Sequence, residues 1–288
     1  MPRKRKQQAN AWLKELDDLV RGCSGGFLFG IPLVYTMEVW WIGSTLTPAE
    51  MLIILGLTLG IVFWLTRTEG FRRTRQHQFF AYFAESVEAL ALGLVCATCL
   101  LLLLQEITLF TPLNEALGKL VLESVPFSIG VGLSKAFLSG DRYASTESTE
   151  NPKPARLNAT LEEIGATLTG ALVIAFNIAP TDEVPMLSAA ATPLSLLALI
   201  AASLLISYSI VFVAGFTNQA KRRQQRGIFQ RPMSETIMAY LVSLGVSLLM
   251  LLFFHKLGPN VPASLWLRYS LILGLPASIG GAAGRLAV

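Results

Sequence analysis

Polar and apolar positions alternate along this chain in long blocks rather than in the short period of an amphipathic surface helix. Apolar runs fall at Gly25–Gly43, Met51–Leu65, Phe80–Leu104, Leu117–Leu138, Ile164–Ala179, Leu194–Phe216, Glu235–Phe254 and Leu265–Val288. A helix crosses a hydrocarbon core of about 30 Å with roughly 20 such residues, so the pattern predicts eight membrane helices. Ahead of the first run, Ala11–Val20 sets Trp12, Leu16, Leu19 and Val20 on one helical face. That spacing predicts a short interfacial helix leading into the membrane. Trp40-Trp41, near the end of the first run, reads as an aromatic anchor at the interface.

The polar interruptions carry a second pattern. Arg3-Lys-Arg-Lys6, residues 67–78, residues 139–158 and residues 221–231 are basic, whereas the intervening loops hold few lysines or arginines. The positive-inside bias then puts both termini in the cytoplasm. The division is a cytoplasmic N-terminus with its interfacial helix (1–24), a four-span unit (25–138), a cytoplasmic linker rich in Ser, Thr, Pro and charge (139–158), and a second four-span unit (159–288).

The two units repeat one another. Thr36-Met-Glu38-Val39 returns as Thr181-Asp-Glu183-Val184, 145 positions later (183 − 38). Leu16-Asp-Asp-Leu19 and Thr47-Pro48 return at the same offset as Leu161-Glu-Glu-Ile164 and Thr192-Pro193. Further along, Arg72-Arg73, Glu85-Ser86, Pro126-Phe-Ser-Ile-Gly130 and Lys135 return at an offset of 150 as Arg222-Arg223, Glu235-Thr236, Pro276-Ala-Ser-Ile-Gly280 and Arg285. The offset is expected to change within span two against span six. Each unit has an even number of spans, so both copies share one orientation. The expected fold is all-α: eight transmembrane helices as two parallel four-helix repeats about a pseudo-two-fold axis along the membrane normal. Spans four and eight are expected to meet near that axis through Pro126, Gly130, Gly132, Pro276, Gly280 and Gly284, whose small faces let helices approach closely.

Composition sharpens this picture. The chain is 53% hydrophobic and only 15% charged, with a mean hydropathy of +0.55. Three cysteines make no disulfide framework, and Cys96-Ala-Thr-Cys99 inside an apolar run reads as two packing thiols. Two histidines leave little for a zinc site. No H-E-x-x-H, G-x-S-x-G or Walker A pattern occurs, which argues against an enzyme and against an ATP-driven pump. No cofactor is expected.

The chemistry that remains is acidic. Glu38 and Glu183 approach the outer leaflet, and Glu85 and Glu235 lie just inside the cytoplasmic ends of spans three and seven. Ionisable groups in a membrane are costly unless used, and carboxylates facing one cavity would bind cations through oxygen ligands. The plainer readings are a solvated interfacial residue for Glu38 and an acidic side chain favoured by a helix N-terminus for Glu85 and Glu235. Lys135 and Arg285 read as snorkelling anchors.

The segments Tyr35–Trp41, Asn177–Glu183 and Pro126–Gly130 resemble an uncharacterised family of bacterial integral membrane proteins, a domain of unknown function. The resemblance covers nearly the whole chain. It implies a multi-pass protein of the bacterial inner membrane and brings no activity or substrate with it. From the residues, the expected function is a channel or ion-coupled transporter for a small cation or a proton, in contact with the lipid bilayer, without nucleic acid, and open to homo-oligomerisation. The alternative is a non-transporting scaffold or sensor that binds a partner through its cytoplasmic loops.

Overall fold

Each half of the chain begins with a long apolar helix that stops at a helix-breaking segment and turns sideways. A computed structural model describes residues 2–68, 79–138, 156–213 and 232–286, and all of its regular structure is helical. In the first half α1 is Pro2–Val34, α2 Met37–Thr45, α3 Pro48–Thr68, α4 Phe79–Leu103 and α5 Leu113–Leu138. In the second half α6 is Arg156–Ile178, α7 Glu183–Ala190, α8 Pro193–Tyr208 with a π-helical turn Ser209–Val213, α9 Pro232–Phe253 and α10 Ala263–Leu286.

The breaks correct the sequence picture at two places. The first apolar run is not one straight span to Gly43: α1 ends at Val34, and α2 leaves it at 93°. The second break, between α6 and α7, turns by 88°. Pro32 removes a backbone donor near the end of α1. Thr36 then takes an extended conformation as the N-cap of α2, and its hydroxyl donates back to the Leu33 carbonyl at 2.9 Å. The turn carries Trp40 into the core at 1% exposure while Trp41 stays outside, so only Trp41 keeps the position of an interface anchor. The N-terminal helix is not separate either. Ala11–Val20 runs unbroken into α1, because Gly25 and Gly26 pack against α5 at Gly130 and Val131 instead of breaking the helix.

Among the described residues five helices are long and apolar enough to cross a membrane, and the count reaches seven if each bent pair is one span. The eighth expected span, α10, is not among them. It carries Arg268, Arg285, Pro276 and several glycines and serines, and residues 270–282 of it are all buried inside the protein.

Local structure corresponds between the halves beyond helix order. After α4, Gln105 adopts a φ of 66°, and after α9, His255 adopts 58°. Around them the same four bonds recur: Leu104, Gln105, Glu106 and Ile107 donate to Leu100, Leu102, Leu101 and Leu101, and Phe254, His255, Lys256 and Leu257 donate to Met250, Leu252, Leu251 and Leu251. This is a helix terminator with a left-handed residue, repeated at the 150 offset. The segments joining α3 to α4 and α8 to α9, with the basic loops, the linker and the Lys135 side chain, lie outside the described residues.

The glycine faces are used within each half. A Cβ on Gly25 would meet the Gly130 carbonyl at 2.5 Å, and one on Gly170 would meet the Gly280 carbonyl at 2.1 Å. Gly284 abuts Ala166, and Gly132 faces Val62 and Leu65. The expectation that Gly130, Gly132, Gly280 and Gly284, with Pro126 and Pro276, join spans four and eight is therefore corrected. These close approaches seat α1 and α3 on α5, and α6 on α10.

The halves meet through other surfaces. α1 lies against α10 and the π turn, and α4 touches α8. A two-fold axis would require α6 to pack equally on α5, and α9 on α3. Among the described residues the principal helix packings do not include these, so the interface is one-sided rather than reciprocal. One continuous core still joins the halves, from Ile31, Val34 and Trp40 to Ala175, Leu187 and Ile279.

Candidate functional site

The duplicated Thr-x-Glu-Val stretches sit at the two breaks and begin α2 and α7, each with its glutamate in the first turn. Exposed N–H groups and the helix dipole favour a carboxylate there. The one-sided packing gives the two glutamates different surroundings. Glu38 is exposed on α2, whereas Glu183 is 6% exposed. Glu183 Oε1 accepts from the backbone N–H of Met37 at 3.3 Å, so the second half caps the first turn of α2 in the first. Its Oε2 is buried without a hydrogen-bond partner.

A second buried carboxyl flanks the same short helix. Glu123 on α5 is 1% exposed, and its Oε1 has no hydrogen-bond partner. It lies beside the indole of Trp40 on α2, whose N–H approaches the carboxyl without reaching full hydrogen-bond geometry. Buried polar groups are ordinarily paired, so two orphaned carboxyl oxygens around one nine-residue helix single this region out. Glu123 was not among the expected site residues. A lone acid inside Leu120–Val131 is a signal that an intramembrane ionisable residue always gives.

The loop and first turns of α5 add charge nearby. Lys119 Nζ lies 3.0 Å from Glu115 and 3.5 Å from Glu106, and it donates to the Glu106 carbonyl at 3.3 Å. Burial pushes the Glu106 carboxyl above the usual range, opposed by Lys119 and assisted by Glu115. In the second half Lys256 occupies the position of Glu106 and pairs with Asp182, the N-cap of α7, at 2.7 Å. Arg268 donates to the carbonyls of Ser188 and Ala191 at the end of α7, both at 3.1 Å. Among the described residues no three His, Cys, Asp or Glu side chains come together as metal ligands.

The inner residues are arranged differently. Glu235 is buried and ion-paired with Arg285, which is also buried and lies over the Phe212 ring at 5.6 Å. Arg285 is thus part of an internal ion pair, not a snorkelling anchor. Glu85 is half-buried on α4. Cys96 is buried and Cys99 exposed, so the Cys-x-x-Cys thiols point to different surroundings.

Against known proteins, one family model, described as "Putative integral membrane protein (DUF2391)", matches residues 18–288. No curated protein and no solved structure matches the chain.

Proposed function

This chain belongs to that family of integral membrane proteins, and from that premise we propose that it is a non-enzymatic channel or ion-coupled transporter for a small cation or proton. The observation that carries the reading is the pair of buried carboxyls, Glu123 and Glu183, each with an unpartnered oxygen and each against a residue of α2. Short helices set across a membrane protein by a sharp break are where transporters expose helix ends to substrate. A carboxyl held there can take up and release a proton or offer oxygen to a cation. Glu38, at the same break but exposed, serves as an entry residue, and Glu235 is held by Arg285 as a structural partner.

The architecture that goes with this reading is eight passes in two parallel four-pass repeats, with α2 and α7 lying across the same end. We place the protein in the bacterial inner membrane with both termini cytoplasmic, so the breaks lie toward the outer leaflet. Among the described residues the halves pack one-sidedly, without a two-fold axis.

The test is cation and proton flux in proteoliposomes at matched protein levels. Glu183→Gln keeps an oxygen for the Met37 N–H and removes only the charge. Glu123→Gln is nearly isosteric. Each is expected to lower flux at least tenfold, about 1.4 kcal/mol of lost stabilisation. Full flux in both variants would leave the carboxyls structural and end the transport reading.

A further inference from the structure

The one-sided interface leaves each half with one surface unused. In the first half, at the end of α1, Ile31 and Tyr35 are covered, at 0% and 4% exposure, and Leu28 beside them is half-buried. Tyr35 donates its hydroxyl to the Ile272 carbonyl of α10 at 2.8 Å. At the 145 offset the corresponding residues are Val173 and Phe176 of α6 and Pro180 just past its end. All three are exposed, Val173 at 57% and Phe176 at 51%. Beside them runs a groove of about 490 Å³ lined by Ala166, Gly170, Val173, Gly280 and Gly284. Its first-half counterparts include Arg21, Ser24 and Gly25, which are buried.

The receiving surface shows the complementary difference. On α10, Ile272, Leu275, Pro276 and Ile279 form an i, i+3, i+4, i+7 stripe and are all buried. The corresponding stripe on α5, Leu122, Val125, Pro126 and Ile129, is only half-buried at every position. Thus the second half carries an unused copy of the donor face, and the first half an unused copy of the acceptor face.

An interface between different surfaces of like units repeats until it closes on itself. Two units held in one membrane plane with the same orientation are related by a rotation about the membrane normal, so repetition gives a ring. We propose that the chain self-associates by this route. α6 of one copy packs on α5 of a second copy as α1 packs on α10 within the chain, and the exposed α6 groove is filled in the assembly. The inference rests on reading the halves as repeats.

Because Tyr35 meets Ile272 and α1 runs antiparallel to α10, Leu28 falls near Ile279, and the equivalent pair between copies is Val173 with Ile129. The experiment co-expresses two differently tagged full-length chains in a Cys99→Ala background, one with Val173→Cys and the other with Ile129→Cys, and treats membranes with a short thiol cross-linker. The expected result is a product carrying both tags, absent when the second cysteine is instead at lipid-facing Leu57. Native mass measured in nanodiscs should be that of two or more chains, and Thr169→Trp in the same groove, added to the Val173→Cys chain, should reduce cross-linking about tenfold while leaving the protein folded. A single-chain mass overturns the proposal, as does a multimer that cross-links no better at this pair than at Leu57. A single chain that still moves cations would overturn it and leave the transport reading standing.

Discussion

Two buried polar contacts at the residue scale do different work. Pro276 has no N–H, so the carbonyl four residues earlier, at Ile272, loses its helical donor. Tyr35 supplies that donor from the other half of the chain at 2.8 Å. Tyr35→Phe removes it without changing shape, and it should destabilise the folded protein by roughly 1–3 kcal/mol, the cost of a buried acceptor left unpaired. Unfolding by denaturing detergent measures this, and an unchanged midpoint would mean the carbonyl is satisfied otherwise. The Glu235–Arg285 pair is more demanding. Arg285 is 1% exposed, and removing one partner of a buried pair leaves an uncompensated charge worth roughly 3–5 kcal/mol. Glu235→Leu should therefore lower the yield of folded protein sharply, whereas Glu183→Gln should leave yield intact and lower flux. Folded yield by fluorescence-detected size exclusion separates the two. Equal yields would place Glu235 among the transport residues after all.

Helix-on-helix approach explains why some glycines matter at the element scale and others do not. Gly25 faces the Gly130 backbone, where a Cβ would come within 2.5 Å of a carbonyl oxygen, while a Cβ on Gly56 of α3 would meet nothing within 4 Å. Gly25→Ala should thus destabilise by about 1–3 kcal/mol through overpacking. Gly56→Ala should be neutral or stabilising by up to about 1 kcal/mol, the helix propensity gained. Detergent unfolding of both variants checks the pair, and equal effects would count against close packing of α1 on α5. Much of this layer is legible in the sequence. The apolar runs locate α3, α4, α5, α9 and α10 within a few residues, and the doubled Thr-x-Glu-Val marks both breaks. The sharp turn at each break is not legible, because hydropathy has no direction: Trp40, Trp41 and Ile42 are apolar whether the chain goes straight on or bends. Glu123 escaped for a related reason. Its repeat counterpart is Leu273, so a search for shared features passes over it. The one-sided packing is also hidden, since two similar sequences cannot say which of two similar faces is used.

For the whole molecule, α10 sets the number of passes. Its composition alone argues against an eighth pass, since Arg268, Arg285 and a run of glycines and serines dilute the apolar residues. Hydropathy, however, measures fitness to face lipid, and residues 270–282 face protein on every side. Buried in the bundle, a helix needs its polar groups satisfied internally rather than an apolar surface. Arg268 reaches the carbonyls at the end of α7, and Arg285 pairs with Glu235 at the opposite end. The helix has 24 residues, about 36 Å at 1.5 Å per residue, which is enough to cross. Its two arginines thus sit near the two ends of a helix of membrane-spanning length, and the first lies by the breaks while the second lies by Glu235 at the start of α9. We therefore expect reporters fused at Ser148 and at the C-terminus to read the same, cytoplasmic, side, and a cysteine at Asn260 to be labelled from the outside. A C-terminal reporter on the outer side, with Ser148 still inside, would mean that α10 turns back within the membrane. The protein would then have seven passes, and its halves would no longer be parallel copies of one four-pass unit.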